Sequence, residues 1–180
     1  MENILAKIKS RIIFQLFVIF IRYALGTAFV WASILKIKGI RFEPESGETA
    51  PINSISHLLE AIYRSGFYWN FIGWGQLIAG FLLMSQIFST LGAIVYFPII
   101  LSIFILTTSF GASFFWILTS SMLFANICLL LWDWNKLKFI FLSNPGIYID
   151  QSTSFSKLKV WSFLGILIFL FIIIYRIITT

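Results

Sequence analysis

The sequence is poor in charge and in cysteine. Only 11% of its 180 residues are Asp, Glu, Lys or Arg, whereas an ordinary soluble domain has about 25%. The single cysteine, Cys128, can form neither an internal disulfide nor a CxxC redox pair, so thiol redox catalysis is not expected. There is one histidine, and GxSxG, HExxH and Walker motifs are missing. No metal site and no cofactor is predicted.

Apolar residues make up most of what is present. They account for 59% of the chain, and the mean hydropathy is +0.95. Several apolar runs approach or exceed the ~20 residues that a helix needs to cross a bilayer. The predicted fold is therefore an all-α membrane protein with a single transmembrane domain over residues 1–180. Its spans are predicted at residues 12–37, 68–86, 91–108, 113–132 and 160–178, and the first four form a four-helix bundle to which the fifth is added.

The basic residues predict the orientation in the membrane. Seven lie on the side of the N-terminus, namely Lys7, Lys9, Arg11, Lys136, Lys138, Lys157 and Lys159. Five lie on the other side, namely Lys36, Lys38, Arg41, Arg64 and Arg176. By the positive-inside rule the N-terminus should be cytoplasmic. Because the cations flank membrane segments and form no basic soluble domain, a nucleic-acid partner is not expected.

A short amphipathic helix is predicted between the first two spans, at about residues 54–65. Its apolar residues follow helical spacing, while His57, Glu60 and Arg64 share the opposite face. Such a helix should lie flat on the outer membrane surface. These three residues are candidates for an outer-face site, although a solvated face explains them equally well.

The first span carries a polar and small-residue stripe. At ~100° per residue one face of the helix collects five side chains, namely Arg22, Gly26, Phe29, Ser33 and Lys36. Arg22 is ten residues into the span, which places it ~15 Å along the axis and near the bilayer midplane. An isolated Arg there costs about 2.5 to 3.5 kcal/mol, so partners on other helices are expected. Lys36 is close enough to the helix end to snorkel to the interface.

Polar residues on the neighbouring spans are the candidate partners. Gln76 lies between Gly73 and Gly80 on one face of the second span. Asn126 and Asp133 share a face of the fourth span with Thr119, and the third span offers Pro98, Ser102 and Thr107. We expect these stripes to converge on Arg22. The alternative is that the small, hydroxyl and amide residues serve only as packing and interhelical hydrogen bonds.

Two segments resemble a known family. "RYALGTAFVWASILK" and "FIGWGQLIAGFLLMSQIFSTLGAIVYFPIILSIFILTTSF" are similar to the DoxX-like family of small bacterial membrane proteins over about residues 22–138. The family pattern R-x3-G-x2-F-x3-G-x2-K is matched by Arg22, Gly26, Phe29 and Lys36, with Ser33 at the second Gly and Gln76 where Glu is usual. The resemblance implies a bacterial inner-membrane protein. Relatives include an oxidoreductase subunit and proteins that assist maturation of exported enzymes.

Three functions are compatible with these patterns. The favoured one is a non-catalytic accessory protein or subunit whose intramembrane pocket contacts a membrane lipid or a quinone, with a redox protein, another membrane protein or a second copy as partner. The alternatives are a membrane enzyme acting on a lipidic substrate, with Asp133 or with His57 and Glu60 as acid or base, and a small-solute carrier. The candidate ligand-binding residues are Arg22, Gly26, Phe29, Ser33, Lys36, Gln76, Asn126 and Asp133.

Overall fold

All regular secondary structure in the described part of the chain is helical. The computed structural model describes residues 9–111, 113–141 and 155–179 and has no strand in these ranges. The helices are α1 (Ile12–Ile37), α2 (Ile55–Arg64), α3 (Phe67–Met84), α4 (Ser89–Ser109), α5 (Ser113–Trp132), α6 (Trp134–Phe141) and α7 (Phe155–Thr179), and a single 3-10 turn covers Gly47–Thr49. The predicted all-α class is confirmed.

Within the described residues, four helical segments are long and apolar enough to cross a membrane. They are Ile12–Ile37, Ser89–Ser109, Phe114–Trp132 and Val160–Thr179. Helix α3 is not among them, because Asn70 and Gln76 lower the hydropathy of its 18 residues. At 1.5 Å per residue α3 is still ~27 Å long, close to the ~30 Å thickness of a hydrocarbon core.

Sharp turns separate the helices where the chain permits a positive φ. Gly39 has φ +67° two residues after α1, and Gly66 has φ +59° between α2 and α3, a conformation that glycine adopts without steric cost. Helix α2 begins at the N-cap Ser54, whose Oγ accepts a hydrogen bond from the backbone N–H of His57. This cap explains why α2 begins where the sequence predicts.

Helices α1, α3, α4 and α5 pack as an antiparallel bundle. Its core contains Val18, Leu25, Phe29, Ala79, Leu83, Ala93, Tyr96, Ile100 and Leu129. Helices α1 and α3 approach most closely at Gly26 and Gly80, since a Cβ on Gly80 would lie 2.9 Å from the Gly26 carbonyl oxygen. Small residues permit this backbone contact.

Helix α7 packs parallel to α1 in the groove between α1 and α3. Near its start, Tyr23 Oη donates to the Trp161 carbonyl at 2.7 Å. Near its end, Lys38 Nζ donates to the Ile177 carbonyl at 3.1 Å. The bundle thus has an Arg22 end, with the α3–α4 turn and the start of α7, and a Lys36 end, with residues 39–66 and the end of α7.

A short helix continues the chain directly after α5. Helix α6 (Trp134–Phe141) follows α5 after the single residue Asp133. Its Leu137 is buried, so an apolar contact fixes this helix against the Arg22 end. Lys7, which entered the charge count, lies outside the described residues.

Candidate functional site

The stripe on α1 faces the other helices of the bundle. Gly26, Phe29, Ser33 and Lys36 are buried, and Arg22 is partly buried. Phe29 stacks on Tyr96 of α4 with ring centroids 3.6 Å apart. Ser33 Oγ donates to the Val30 carbonyl of its own helix at 2.7 Å, so its hydroxyl is already satisfied. The two cations are therefore the chemically distinctive members of the stripe.

Arg22 is bonded through both of its terminal nitrogens at its end of the bundle, while its buried Nε has no hydrogen-bond partner. Its Nη1 donates to Gln86 Oε1 at 3.0 Å and its Nη2 to Asp133 Oδ2 at 3.1 Å. The same Asp133 oxygen accepts from Thr90 Oγ1 at 2.9 Å, and Lys136 Nζ lies 3.6 Å from Oδ1. The side chains of Arg22 and Asp133 are only 11% and 7% exposed. This is a neutralised ion pair that joins α1, the α3–α4 turn and the end of α5.

Local structure aims Gln86 and Asp133 at Arg22. Gln86 lies in the α3–α4 turn with φ +59°, and its carbonyl accepts from Ser89 Oγ at 3.2 Å. Asp133 stands between α5 and α6, and its carbonyl accepts the backbone N–H of Lys136 at 2.8 Å. Both side chains leave the chain at a helix end, which is where α1 presents its guanidinium.

Asp133 is confirmed as a partner of Arg22, but other expectations about Arg22 are wrong. Its partners lie in a turn and just beyond the end of α5, so Arg22 is level with the helix ends and not with the middle of the bundle. Neither Gln76 nor Asn126 contacts it, and the hydroxyl of Ser102 donates to its own helix on an exposed face. Gln86 and Thr90 are the partners that sequence reasoning missed. The sequence signal for them is the polar composition of the short turn "SQIFST".

Lys36 has a different environment at the opposite end. It is 7% exposed, so it does not snorkel to the surface as expected. Its Nζ donates to the Ala32 carbonyl of its own helix at 3.2 Å and lies 5.0 Å and 5.1 Å from the ring centroids of Trp69 and Phe42. Among the ion pairs of the described residues none includes Lys36. The ammonium is thus buried against rings without a carboxylate.

The segment Ile40–Phe42, here called the strap, covers Lys36. Trp69 Nε1 donates to the Ile40 carbonyl at 3.1 Å. Arg41 donates to both carboxylate oxygens of Glu60, at 2.9 and 3.0 Å, and its guanidinium lies 4.9 Å from the Tyr63 ring centroid. These contacts hold the Phe42 ring beside the Lys36 ammonium, because Phe42 is next to Arg41 in the chain.

Of the three outer-face candidates, Glu60 and Arg64 belong to an ion-pair network and His57 does not. Glu60 also accepts from Arg64 Nε at 2.8 Å, and Arg64 pairs with Glu48. Hydrogen bonds from Arg41 and then Arg64 lower the pKa of Glu60 to about 2, although its burial acts in the opposite direction. His57 is not in this network, and its buried Nδ1 lacks a partner. Glu60 therefore stays ionised, which is unsuited to a general acid at neutral pH.

Among the described residues, the side chains of three core residues of the bundle each have a buried polar atom with no hydrogen-bond partner. These atoms are Gln76 Oε1, Tyr96 Oη and Asn126 Oδ1, and all three residues are at most 2% exposed. Gln76 is one turn from Gly73, where a Cβ would lie 2.9 Å from Lys36 Cβ, so this amide belongs to the Lys36 half of the α1–α3 contact. Unsatisfied polar groups in a core require an explanation such as bound water or a ligand.

The described residues contain no group of three His, Cys, Asp or Glu side chains that could hold a metal ion. Comparison with protein-family models, with curated proteins and with solved structures finds no match for this chain. Its function is therefore inferred from the chemistry of its own side chains.

Proposed function

We propose that this chain is a non-catalytic membrane subunit or accessory protein that holds an anionic or carbonyl-bearing amphiphile, a lipid headgroup or a quinone, at Lys36. The observation that carries the proposal is a buried ammonium with no carboxylate partner. Burial of a cation is unfavourable unless a negative or strongly polar group compensates it. Arg22 has a carboxylate and an amide oxygen as partners, whereas Lys36 has only the Ala32 carbonyl of its own helix.

The proposed topology is five spans with a cytoplasmic N-terminus. Support comes from the parallel packing of α7 with α1, because two parallel helices must cross in the same direction and three further crossings fit between them. Helix α3, packed between α1 and α4, is then the fifth span, and α2 is the interfacial helix. The excess of basic residues at the Arg22 end and the resemblance to DoxX-like proteins favour the bacterial inner membrane.

The ring environment of Lys36 suits an amphiphile. Phe42 and Trp69 contribute cation–π attraction, which is worth about 0.5 to 2 kcal/mol and falls short of a full charge partner. A phosphate or quinone oxygen could accept the remaining Nζ protons while the rings pack against apolar parts of the same molecule. Gln76, with its unsatisfied Oε1, is the nearest candidate for a second polar contact.

The alternatives have less support. An enzyme would need a free acid or base, yet Asp133 is bonded to Arg22 and Thr90, and the two arginines keep the pKa of Glu60 near 2. A solute carrier would need a polar path, and the core residues between Arg22 and Lys36 include the stacked pair of Phe29 and Tyr96. The proposal includes a partner chain for this subunit, namely a redox protein, another membrane protein or a second copy.

The test is the identity of the molecules that copurify. Wild type, Lys36→Met and Arg11→Gln are purified in mild detergent and extracted, and lipids and quinones are quantified by mass spectrometry. Lys36→Met keeps the shape of the side chain without its charge, and Arg11→Gln removes an exposed cation from the same helix. The ligand should be depleted only in Lys36→Met. An unchanged profile in folded Lys36→Met would refute the proposal. Gln76→Leu provides a second variant with the same expected loss.

A further inference from the structure

A second cationic group lies on the outside of the bundle, where α1 and α7 end together. Lys38 is exposed, and its Nζ bonds to the carbonyl of Ile177, the residue after Arg176. Arg176 is partly buried, and its Nε is inaccessible and has no hydrogen-bond partner. The hydrogen bond of Lys38 thus ties the end of α1 to the backbone of the residue that follows Arg176.

This cation pair is not neutralised by nearby acidic side chains. Neither Lys38 nor Arg176 is in an ion pair among the described residues. The sequences of α1 and α7 contain no Asp or Glu, and Glu48 and Glu60 are bonded to Arg41 and Arg64. Neither of the two helices that carry the pair therefore supplies a counter-charge.

Aromatic rings beside the pair form a platform. The Arg176 guanidinium carbon lies 4.5 Å from the Trp31 ring centroid, and Trp31 stacks on Tyr175 at 6.2 Å. Both rings are between 40% and 50% exposed on the outside of the bundle. Exposed Trp and Tyr beside cations at the end of apolar helices are typical of the headgroup level of a bilayer.

We propose that Arg176 and Lys38 bind the phosphate of an anionic phospholipid, with Trp31 and Tyr175 packed against its glycerol and upper acyl region. The guanidinium, held by its contact with Trp31, offers donors in a geometry that matches phosphate oxygens. The flexible ammonium of Lys38 adds a second positive charge. This site is separate from Lys36 and does not depend on a ligand there.

The experiment is native mass spectrometry of the full chain in detergent, titrated with dioleoylphosphatidylglycerol or dioleoylphosphatidylcholine. Wild type should retain phosphatidylglycerol in preference to phosphatidylcholine. Arg176→Gln should lower the occupancy of phosphatidylglycerol about fivefold, since each cation near an anionic lipid contributes on that scale. Lys38→Gln, a change at an exposed position that preserves folding, should lower it by a similar factor.

The control is Arg11→Gln, which removes one exposed cation at the far end of α1 and should leave the preference unchanged. An equal loss in Arg11→Gln and Arg176→Gln would show nonspecific electrostatic attraction and overturn the site. Equal retention of the two lipids by wild type would also overturn it. Displacement of phosphatidylglycerol by excess inorganic phosphate would indicate a soluble-anion site, which contradicts a lipid site.

Discussion

One face of α1 carries two cations that differ in whether the protein supplies an acidic partner. Arg22 and Lys36 are 14 residues apart on α1 and both face other helices. Arg22 meets a carboxylate and an amide oxygen, whereas Lys36 meets one carbonyl of its own helix and two aromatic rings. A charge that the protein neutralises itself is explained by stability, and a buried charge that it leaves without an anion needs another explanation.

Because of this difference, the candidate ligand site lies at Lys36 and not at Arg22. Arg22 attracts attention in the sequence because it interrupts a long apolar run, yet the structure uses it to connect α1 with the α3–α4 turn and Asp133. Lys36 is less conspicuous because it is near the helix end. Lys36 is nevertheless the residue whose charge is harder to explain, because the strap helps to shield its ammonium from solvent.

The largest expected effect comes from removing the ion pair between Arg22 and Asp133. Asp133→Leu should lower the free energy of unfolding by about 3 to 5 kcal/mol, because it leaves the buried Arg22 guanidinium unpaired. The double variant Arg22→Met/Asp133→Leu should recover most of this loss, since no unpaired charge remains. Equilibrium unfolding in mixed detergent micelles measures both.

Lys136→Gln is the matched control for that experiment. Lys136 approaches the same carboxylate at 3.6 Å but is 69% exposed, and exposed pairs contribute about 0 to 1 kcal/mol. A loss in Lys136→Gln as large as in Asp133→Leu would show that the network, and not the buried pair, stabilises this end.

A second, smaller effect is expected between the two cations, where α1 and α3 touch. Gly80→Ala should destabilise the fold by about 1 to 3 kcal/mol, because its Cβ would lie 2.8 Å from Val30 Cγ2 and 2.9 Å from the Gly26 carbonyl oxygen. Gly75→Ala on the same helix is the control, since its Cβ would meet only Ile99 Cδ1, at 3.4 Å. Thermal unfolding of the two variants should differ clearly. Equal midpoints would contradict the close helix contact.

Helical periodicity was sufficient to predict which face of α1 is inside. Five residues at spacings of three and four define that face, and the structure buries four of them. The helix positions follow for the same reason, because apolar runs of this length have few alternatives. Periodicity describes a single helix, however, and contains no information on which residue of another helix lies opposite.

The missed residues all depend on the path of the chain outside the long helices. Gln86 reaches Arg22 from a turn residue with positive φ, and Arg41 reaches Glu60 across a 19-residue separation. Lys36 lies against Phe42 of the strap as well as against Trp69 of α3. Such contacts between turns and helices are determined by tertiary packing, so local spacing could not predict them.

A smaller effect is expected at Lys36, which has no carboxylate partner among the described residues. Lys36→Met should leave the ligand-free protein about 1 kcal/mol more stable, because an apolar side chain of similar shape removes the desolvation cost of an unpaired cation. Arg22→Met should have the opposite sign, since it leaves Asp133 without its main partner. Both are measured by unfolding of delipidated protein. A destabilised Lys36→Met would mean that the rings and the Ala32 carbonyl already compensate the charge.

The smallest effect is expected from lowering the pH, which acts on the ion pair that holds the strap. Arg41 is paired with Glu60 there, just as Arg22 is paired with Asp133. Hydrogen bonds from Arg41 and Arg64 lower the pKa of Glu60 to about 2 from its ordinary value of 4.5. Its stabilising contribution should therefore be complete above about pH 5 and should decline as the pH falls towards 2. Glu60→Gln removes this contribution at every pH. The midpoint of wild type should exceed that of Glu60→Gln at pH 7, and the difference should vanish near pH 2 because the protonated carboxyl then resembles the amide. A difference that stays constant over this range would show that Glu60 acts through packing, and the strap would then be held over Lys36 by Trp69 and Tyr63 and not by charge.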